Sequence, residues 1–247
     1  MASPFPALAK TPTSFAVNSA SSTVMVAAVY ETGYSTQKTV VKGLKAEKAT
    51  LKKALGFGGM SVLQSEDGLR VVVLSQWQDT ASFENYRTSI PSAASTTLKP
   101  PSPARVTLFK VIKTQTYRTG ANPTLRGKEA IVEFSEFSMS DPANTPDIQT
   151  DLETMMDQVF QQQPPPQAVV MLQSADPQEF ALLANWNCTA DFEETGKPLG
   201  FESNPSALPS LAQSDQRFYS VVRILPANVP KQSKSDATVD PSAPMPA

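Results

Sequence analysis

The chain has 247 residues, of which 40% are hydrophobic, and its formal net charge is −2. A balance this close to neutral argues against a general nucleic-acid binder, and no apolar run reaches the ~20 residues of a membrane-spanning helix. The chain has no histidine, which excludes every mechanism that needs an imidazole, and its single cysteine rules out a thiolate cluster for zinc or iron–sulfur. We therefore predict a cytoplasmic protein with no metal and no other cofactor.

Six elements are predicted in the first half of the chain, in the order β-α-β-β-α-β. Apolar residues three to four positions apart predict a helix over residues 36–55, and an Asp-Gly turn indicates a hairpin. Asp79 or Thr80 is expected to cap a short helix that ends near Arg87. The predicted strands are residues 23–30, 60–65, 69–77 and 105–116, with a Pro/Ser-rich loop at residues 88–104.

The second half repeats this order. Thr145-Pro146-Asp147 is a strong helix start, with a capping hydroxyl, a proline at the first position and an acid in the first turn. The helix should end near residue 162, before three consecutive prolines. The predicted strands are residues 129–137, 168–174, 179–186 and 216–225, with a short helix from residue 189 and a loop at residues 197–214.

The two halves are alike at a constant offset of 109 residues. Residues 63–67 (LQSED) align with residues 172–176 (LQSAD), and residues 77–84 (WQDTASFE) align with residues 186–193 (WNCTADFE). The same offset matches Leu74 to Leu183, Pro100 to Pro209 and Phe109 to Phe218. Because this period exceeds the roughly 20–50 residues of a solenoid repeat, it indicates duplication of a whole small domain.

We predict an α+β fold of two ferredoxin-like units, each a four-stranded antiparallel sheet with both helices on one face. Apolar runs such as residues 71–74 are typical of strands buried on both faces, so the two sheets should pack face to face. The predicted units are residues 23–117 and 128–225, joined by a linker at residues 118–127. Residues 1–22 and 226–247, rich in Pro, Ser and Ala, are expected to be disordered tails.

Each unit has a strand that ends in Trp, followed by a polar pair, Thr-Ala-x-Phe-Glu and a short helix. The two copies are residues 76–86 (QWQDTASFENY) and 185–193 (NWNCTADFE). This arrangement resembles the antibiotic biosynthesis monooxygenase family, which implies a dimeric α+β barrel, here a monomeric pseudodimer within one chain. The family includes cofactor-free oxygenases of quinols or aromatic polyketides, and haem-degrading enzymes. The haem-degrading branch relies on a histidine in or after the short helix, so a chain without histidine is excluded from it as that branch is usually built.

The resemblance places a substrate pocket between the helices and the sheet of each unit, walled by the Trp at the strand end. Trp77 and Trp186 are therefore candidate pocket residues, and each is alternatively an anchor that clamps the short helix onto the sheet. Gln76 and Asn185 precede the two Trp residues and should face the opposite way on an alternating strand. We expect these two amides to be solvated.

Candidate catalytic residues follow Phe83 in the short helix of the first unit: Asn85, Tyr86 and Arg87. Arg87 could hold a substrate anion, and Tyr86 could donate a hydrogen bond to a developing oxyanion. The second unit has Glu, Thr and Gly at the corresponding residues 194–196. The two pockets therefore differ, and we expect at most one of them, the first, to be active.

Two functions remain open from the sequence. The first is a cofactor-independent monooxygenase acting on an aromatic or quinol-type small molecule, and the second is a catalytically silent barrel that serves as a binding or assembly subunit. The first long helix is rich in lysine and the second is rich in aspartate and glutamate. Solvated faces explain each helix alone, but the opposite charges would also suit a protein partner or head-to-tail association of copies.

Overall fold

The computed structural model describes residues 14–20, 22–46, 48–89, 102–127, 130–139, 141, 143, 145–176, 178–186, 200–201 and 212–227. The strands are β1 (Ser14–Ala16), β2 (Val24–Glu31), β3 (Phe57–Ser65), β4 (Arg70–Trp77), β5 (Arg105–Thr116), β6 (Thr124–Arg126), β7 (Ile131–Met139), β8 (Ala168–Ser174), β9 (Glu179–Trp186) and β10 (Ala212–Pro226). The helices are α1 (Tyr34–Ala46), α2 (Lys48–Leu51), α3 (Thr80–Ser89) and α4 (Thr145–Val159). The predicted first helix is thus divided between α1 and α2. The second short helix, from residue 189, lies outside the described residues.

Eight strands close into one barrel in the order β10-β3-β4-β2-β5-β8-β9-β7. Within each copy the last strand lies beside the first, then the third, then the second, which is the antiparallel ferredoxin-like order. The last strand of each copy also pairs with the second strand of the other copy. The prediction of two ferredoxin-like units that form an intramolecular α+β barrel is confirmed.

Two long strands join the copies because each belongs to both sheets. The first part of β5 pairs with β2 and the remainder pairs with β8, and β10 changes partner in the same way from β7 to β3. Irregularities between Val111 and Lys113 and between Val221 and Arg223 mark equivalent points on the two strands. Neither sheet has a free edge, so the copies cannot separate without breaking both ladders.

The register corrects one detail of the predicted repeat. Phe109 pairs with Ser174, and the equivalent partner Ser65 pairs with Tyr219 rather than with Phe218. The offset therefore becomes 110 residues in the last strand, one more than in the preceding hairpin. Since side chains alternate along a strand, this single extra residue decides which aromatic ring faces inward. Tyr219 faces the barrel interior, and Phe218 lies on the outer face of the sheet, where it packs with the apolar residues between the sheet and α4.

A small second sheet closes one end of the barrel. Strand β1 pairs antiparallel with β6, and Phe15, Val17 and Leu125 are buried in the barrel interior. A Cβ atom on Gly59 would lie 2.9 Å from the Phe15 ring, so this strand position must stay without a side chain. The expectation that residues 1–22 form a disordered tail is therefore wrong for residues 14–16. Part of the predicted linker is likewise ordered, as strand β6, which helps to cover the barrel end with apolar side chains.

Three apolar clusters make up the core. The first fills the barrel, with Met25, Leu63, Leu74, Phe134 and Leu183 among its fully buried members. The second lies between the second sheet and α4, and the third lies between the first sheet and helices α1 to α3. Because side chains alternate along a strand, the apolar runs place buried side chains on both faces of each sheet, as predicted. Among the described helices, none has the length and apolar character needed to cross a membrane.

Candidate functional site

The Trp at the end of β4 is the centre of an aromatic cluster in the first copy. Trp77 is only 1% exposed, and its ring centroid lies 5.4 Å from that of Phe57, 5.7 Å from Phe83 and 5.0 Å from Tyr86. Its indole Nε1 donates to the Ser75 hydroxyl at 3.0 Å. The cluster joins the start of β3, the end of β4 and the inner face of α3. It is consistent with the anchoring role considered for Trp77.

Helix α3 is held against the strand end by its cap. The Ser82 amide donates to the Asp79 carboxylate at 2.7 Å, and this bond lowers the pKa of Asp79. Phe83 and Tyr86 are three residues apart, so they lie on the same face of the helix. This spacing brings Tyr86 onto the Trp77 ring, as the candidate site requires.

The other two candidate catalytic residues do not lie on the inner face of α3. Asn85 is exposed, and Arg87 has a side chain that is 63% exposed. Arg87 Nη2 binds Glu84 at 2.7 Å, one turn earlier on the same helix. The structure therefore brings Trp77 and Tyr86 together but not Asn85 or Arg87, because a helix places adjacent residues about 100° apart.

The second copy has a different layer beside its Trp. Trp186 is also 1% exposed, lies 6.2 Å from the Phe218 ring and donates from Nε1 to the Pro164 carbonyl at 3.2 Å. Phe201 is fully buried in the same layer. Residues 194–196, which the sequence aligns with the candidate catalytic segment, lie outside the described residues. Like Trp77, Trp186 occupies the position of an anchor.

A buried carboxylate in this layer was missed by the sequence analysis. Glu133 is 1% exposed and accepts hydrogen bonds from the Phe201 amide at 3.0 and 3.2 Å and from the Ser135 hydroxyl at 3.2 Å. The strand register matches Glu133 to Val26 in the first copy. The sequence contains a signal for this site, because an acid stands in an apolar strand at a position that faces the helix. Acidic side chains are rarely buried without partners.

Glu133 holds the chain at Gly200 and Phe201 against the sheet. Gly200 has φ +66°, and a Cβ there would lie 2.5 Å from the Glu133 carboxylate and 2.7 Å from the Phe218 ring. The Gln162 side chain donates to the Gly200 carbonyl at 2.7 Å. The chain of the second copy therefore occupies its own helix–sheet layer with Phe201. The corresponding segment of the first copy lies outside the described residues.

Gln76 and Asn185 are not solvated, contrary to expectation: they are 3% and 2% exposed. Gln76 accepts from the Asn18 amide at 3.0 Å and donates to the Asn18 carbonyl at 2.7 Å. Asn185 donates to the Thr124 carbonyl at 2.8 Å. The face opposite each Trp is the inside of a closed barrel, so these amides hold the two segments that cover its end.

The other end of the barrel carries a chain of alternating charges that crosses between the copies. Arg70 binds Glu31 at 3.2 Å in its own copy and Asp215 in the other copy. Arg217 in turn binds Asp215 at 2.9 Å and reaches back to Asp67 of the first copy. Although burial acts to raise it, the pKa of Asp67 is lowered by the bonds from Ser65 and the Leu69 amide and by Arg217.

A further ion pair joins the copies across the interior. Arg105 of β5 binds Glu136 of β7 at 2.5 Å, and the Glu136 side chain is only 9% exposed. Burial raises the pKa of Glu136, and Arg105 opposes this effect. Burial likewise raises the pKa of Tyr219. No group of three or more acidic or cysteine side chains within the described residues could hold a metal ion.

The sequence matches no protein-family model and no curated protein. Solved structures do match. An anthrone oxidase-like protein superposes with a TM-score of 0.64 at 12% identity, over 86% of this chain and 97% of that one. A candidate monooxygenase from Fusobacterium nucleatum gives a TM-score of 0.55 at 10% identity, over 83% and 95% of the two chains. A candidate monooxygenase from Lactobacillus acidophilus gives 0.51 at 7% identity, over 83% and 96%.

The chain shares their fold. The resemblance to the antibiotic biosynthesis monooxygenase family, first carried by the Trp-containing segments, is thus confirmed at the level of architecture. Identities this low bear on the fold alone, so the activity has to be argued from the site.

Proposed function

We propose that the first copy binds an aromatic or quinol-type small molecule beside Trp77 and Tyr86 and oxidises it as a cofactor-independent monooxygenase. The observation that carries this proposal is the Trp77–Tyr86 pair, with ring centroids 5.0 Å apart at the junction of β4 and α3. Two neighbouring rings offer stacking surfaces, and a phenol among them offers a hydrogen-bond donor. The second copy covers the equivalent layer with its own Phe201.

The reaction uses the substrate's own acidity. An anthrone-type carbon loses a proton, the resulting carbanion transfers electrons to O2, and a carbon–oxygen bond forms to give a hydroperoxide. Loss of water breaks the O–O bond, so one substrate and one O2 give one quinone and one H2O. No carboxylate is buried in the described part of the first copy. The substrate must therefore be acidic enough for solvent to accept its proton.

Tyr86 and Trp77 have different roles in this proposal. The Tyr86 hydroxyl donates to the oxygen on which the negative charge of the deprotonated substrate accumulates, and this stabilises the anion before O2 reacts. The buried Trp77 ring, fixed by its bond to Ser75, supports the Tyr86 ring against which the substrate packs. Asn85 and Arg87 are exposed, so they are not needed for the chemistry.

Oxygen consumption tests the proposal. Wild-type protein is incubated with anthrone and with a hydroquinone series in an oxygen electrode. Tyr86→Phe should lower kcat by about 100-fold, the usual effect of removing one oxyanion donor, whereas Arg87→Ala should leave kcat unchanged. Tyr117→Phe is the matched control, since Tyr117 is 61% exposed. Equal losses in Tyr86→Phe and Tyr117→Phe would contradict the role given to Tyr86.

The alternative, a silent barrel that binds without turnover, is favoured by the lack of a buried base in the described first copy. It predicts saturable quenching of Trp77 fluorescence by an aromatic ligand, measured in a Trp186→Phe background, with no oxygen uptake. Oxygen uptake at the wild-type rate in Tyr86→Phe would contradict both readings of the site. Uptake that depends on Tyr86 would select the monooxygenase.

A further inference from the structure

The first helix of each copy packs its apolar face on the sheet and leaves a charged face outward. In α1, Gln37, Val40 and Leu44 are buried, while Lys38 and Lys42 are exposed. Three further exposed lysines follow in and after α2: Lys48, Lys52 and Lys53. In the sequence from residue 34 to residue 53, Glu47 is the single acid. This side of the first copy is therefore a basic surface.

The equivalent helix of the second copy has the opposite charge. Its buried face consists of apolar residues: Ile148, Leu152, Met155, Met156 and Val159. Asp147 and Asp157 are exposed, Asp151 is half-buried, and the sequence of α4 contains no lysine or arginine. Glu153 already binds Lys113 at 2.6 Å and is thereby neutralised. The free acids on the outer face of α4 are thus the three aspartates.

The two faces are complementary in spacing as well as in charge. Lys38 and Lys42 are four residues apart, and so are Asp147 and Asp151, so each pair lies one turn apart on one side of its helix. Antiparallel contact of the helices would place Lys38 opposite Asp151 and Lys42 opposite Asp147. A contact of this kind uses two different surfaces, so a pair of molecules keeps one free surface of each sign and can bind further copies.

We propose that the basic face of α1 in one molecule binds the acidic face of α4 in a second copy of this chain, giving head-to-tail association. A second copy is the occupant that the charge pattern favours, because its acidic face repeats the spacing of the lysines. The inference does not depend on the monooxygenase proposal. Exposed ion pairs contribute little individually, so the association is weak and sensitive to salt.

Sedimentation velocity tests this association. At low ionic strength the sedimentation coefficient of the full chain should rise with protein concentration beyond that of a dimer. At about 0.3 M salt, where the Debye length is well under 10 Å, it should return to that of a monomer. Wild-type protein that stays monomeric at low salt and high concentration would overturn the proposal.

Charge reversal identifies the surfaces. Lys38→Glu/Lys42→Glu and Asp147→Lys/Asp151→Lys should each remain monomeric alone and associate when mixed. The fourfold variant, which keeps the net charge of −2, should associate alone. Circular dichroism checks that each variant folds, and Lys38→Gln/Lys42→Gln replaces the first reversal if it does not. Failure of both rescues would overturn the proposal and point to a different acidic partner or to an anionic membrane surface.

Discussion

Replacing either Trp with Ala should destabilise the whole barrel. Trp77 and Trp186 are each 1% exposed, and truncation of a buried Trp to Ala costs about 3–5 kcal/mol in free energy of unfolding. Trp77 has three ring neighbours within 5.7 Å, and such pairs add about 0.5–1.5 kcal/mol each beyond their buried area. We therefore expect Trp77→Ala to reach the upper end of the range.

Urea unfolding measures this loss and tests barrel closure in the same experiment. The chain has 2 Trp residues, so each variant keeps a single fluorescent reporter, located in the copy that was not changed. In Trp77→Ala, the Trp186 fluorescence reports the second copy, and far-UV circular dichroism reports both. Because β5 and β10 belong to both sheets, the two signals should give one transition with the same midpoint and slope.

Two results would refute the reasoning. A loss below about 1 kcal/mol, the size of an ordinary surface effect, would remove the anchoring role of the Trp. A Trp186 transition that keeps the wild-type midpoint in Trp77→Ala would mean that the copies unfold independently. Tyr117→Ala serves as the control, because this 61% exposed ring should contribute little to stability.

Two further predictions concern a buried acid and a buried glycine. The raised pKa of Glu136 means that folding favours its protonated form, so its stabilisation is full below pH 4.5 and is lost as pH rises through the raised pKa. The unfolding free energy of wild type minus that of Glu136→Gln should fall as the pH rises above 4.5, and Glu31→Gln at an exposed position is the control; a pH-independent difference would contradict this. Gly120→Ala, with φ +77° and open space, should cost about 1–2 kcal/mol. Gly200→Ala, whose Cβ would lie 2.7 Å from the Phe218 ring, should lower the free energy of unfolding by more than Gly120→Ala does, as measured by thermal unfolding. Equal losses would show that the residues around Gly200 move to make room for the methyl group.

Local sequence patterns predicted most of the barrel, since its strands and helices carry the signals that decide them. The hairpin of β3 and β4 forms at an Asp-Gly turn between two apolar runs. Helix α4 begins at Thr145, as its proline and acid predict. Strand β1 was not predicted, because three residues give no period and its partner β6 lies more than 100 residues away. These short segments are ordered because they pack against the barrel end that they cover.

The site was harder to predict than the fold because it depends on which face each residue takes. Phe83 marks the inner face of α3, so helical spacing finds Tyr86 three residues later and excludes Asn85. Arg87 is four residues from Phe83, and only the structure shows that it is exposed and bound to Glu84. The solvent exposure predicted for Gln76 conflicts with the predicted face-to-face packing of the two sheets, which buries that face of the strand. In a closed barrel that face is interior, so a polar residue there needs a partner, which Asn18 supplies.

The closed barrel also explains how two copies of one domain can differ so much in their outer layers. The interior, the two shared strands and the ion pairs across the far end require both copies, so their geometry is fixed jointly. The layer between helix and sheet is built mainly by one copy, although Leu225 of β10 also packs in the layer of the first copy. The second copy has Glu133 and the Phe201 contact in this layer, and the first has the Trp77–Tyr86 pair. On this argument, substitutions at Glu133 should change stability without changing oxygen uptake by the first copy.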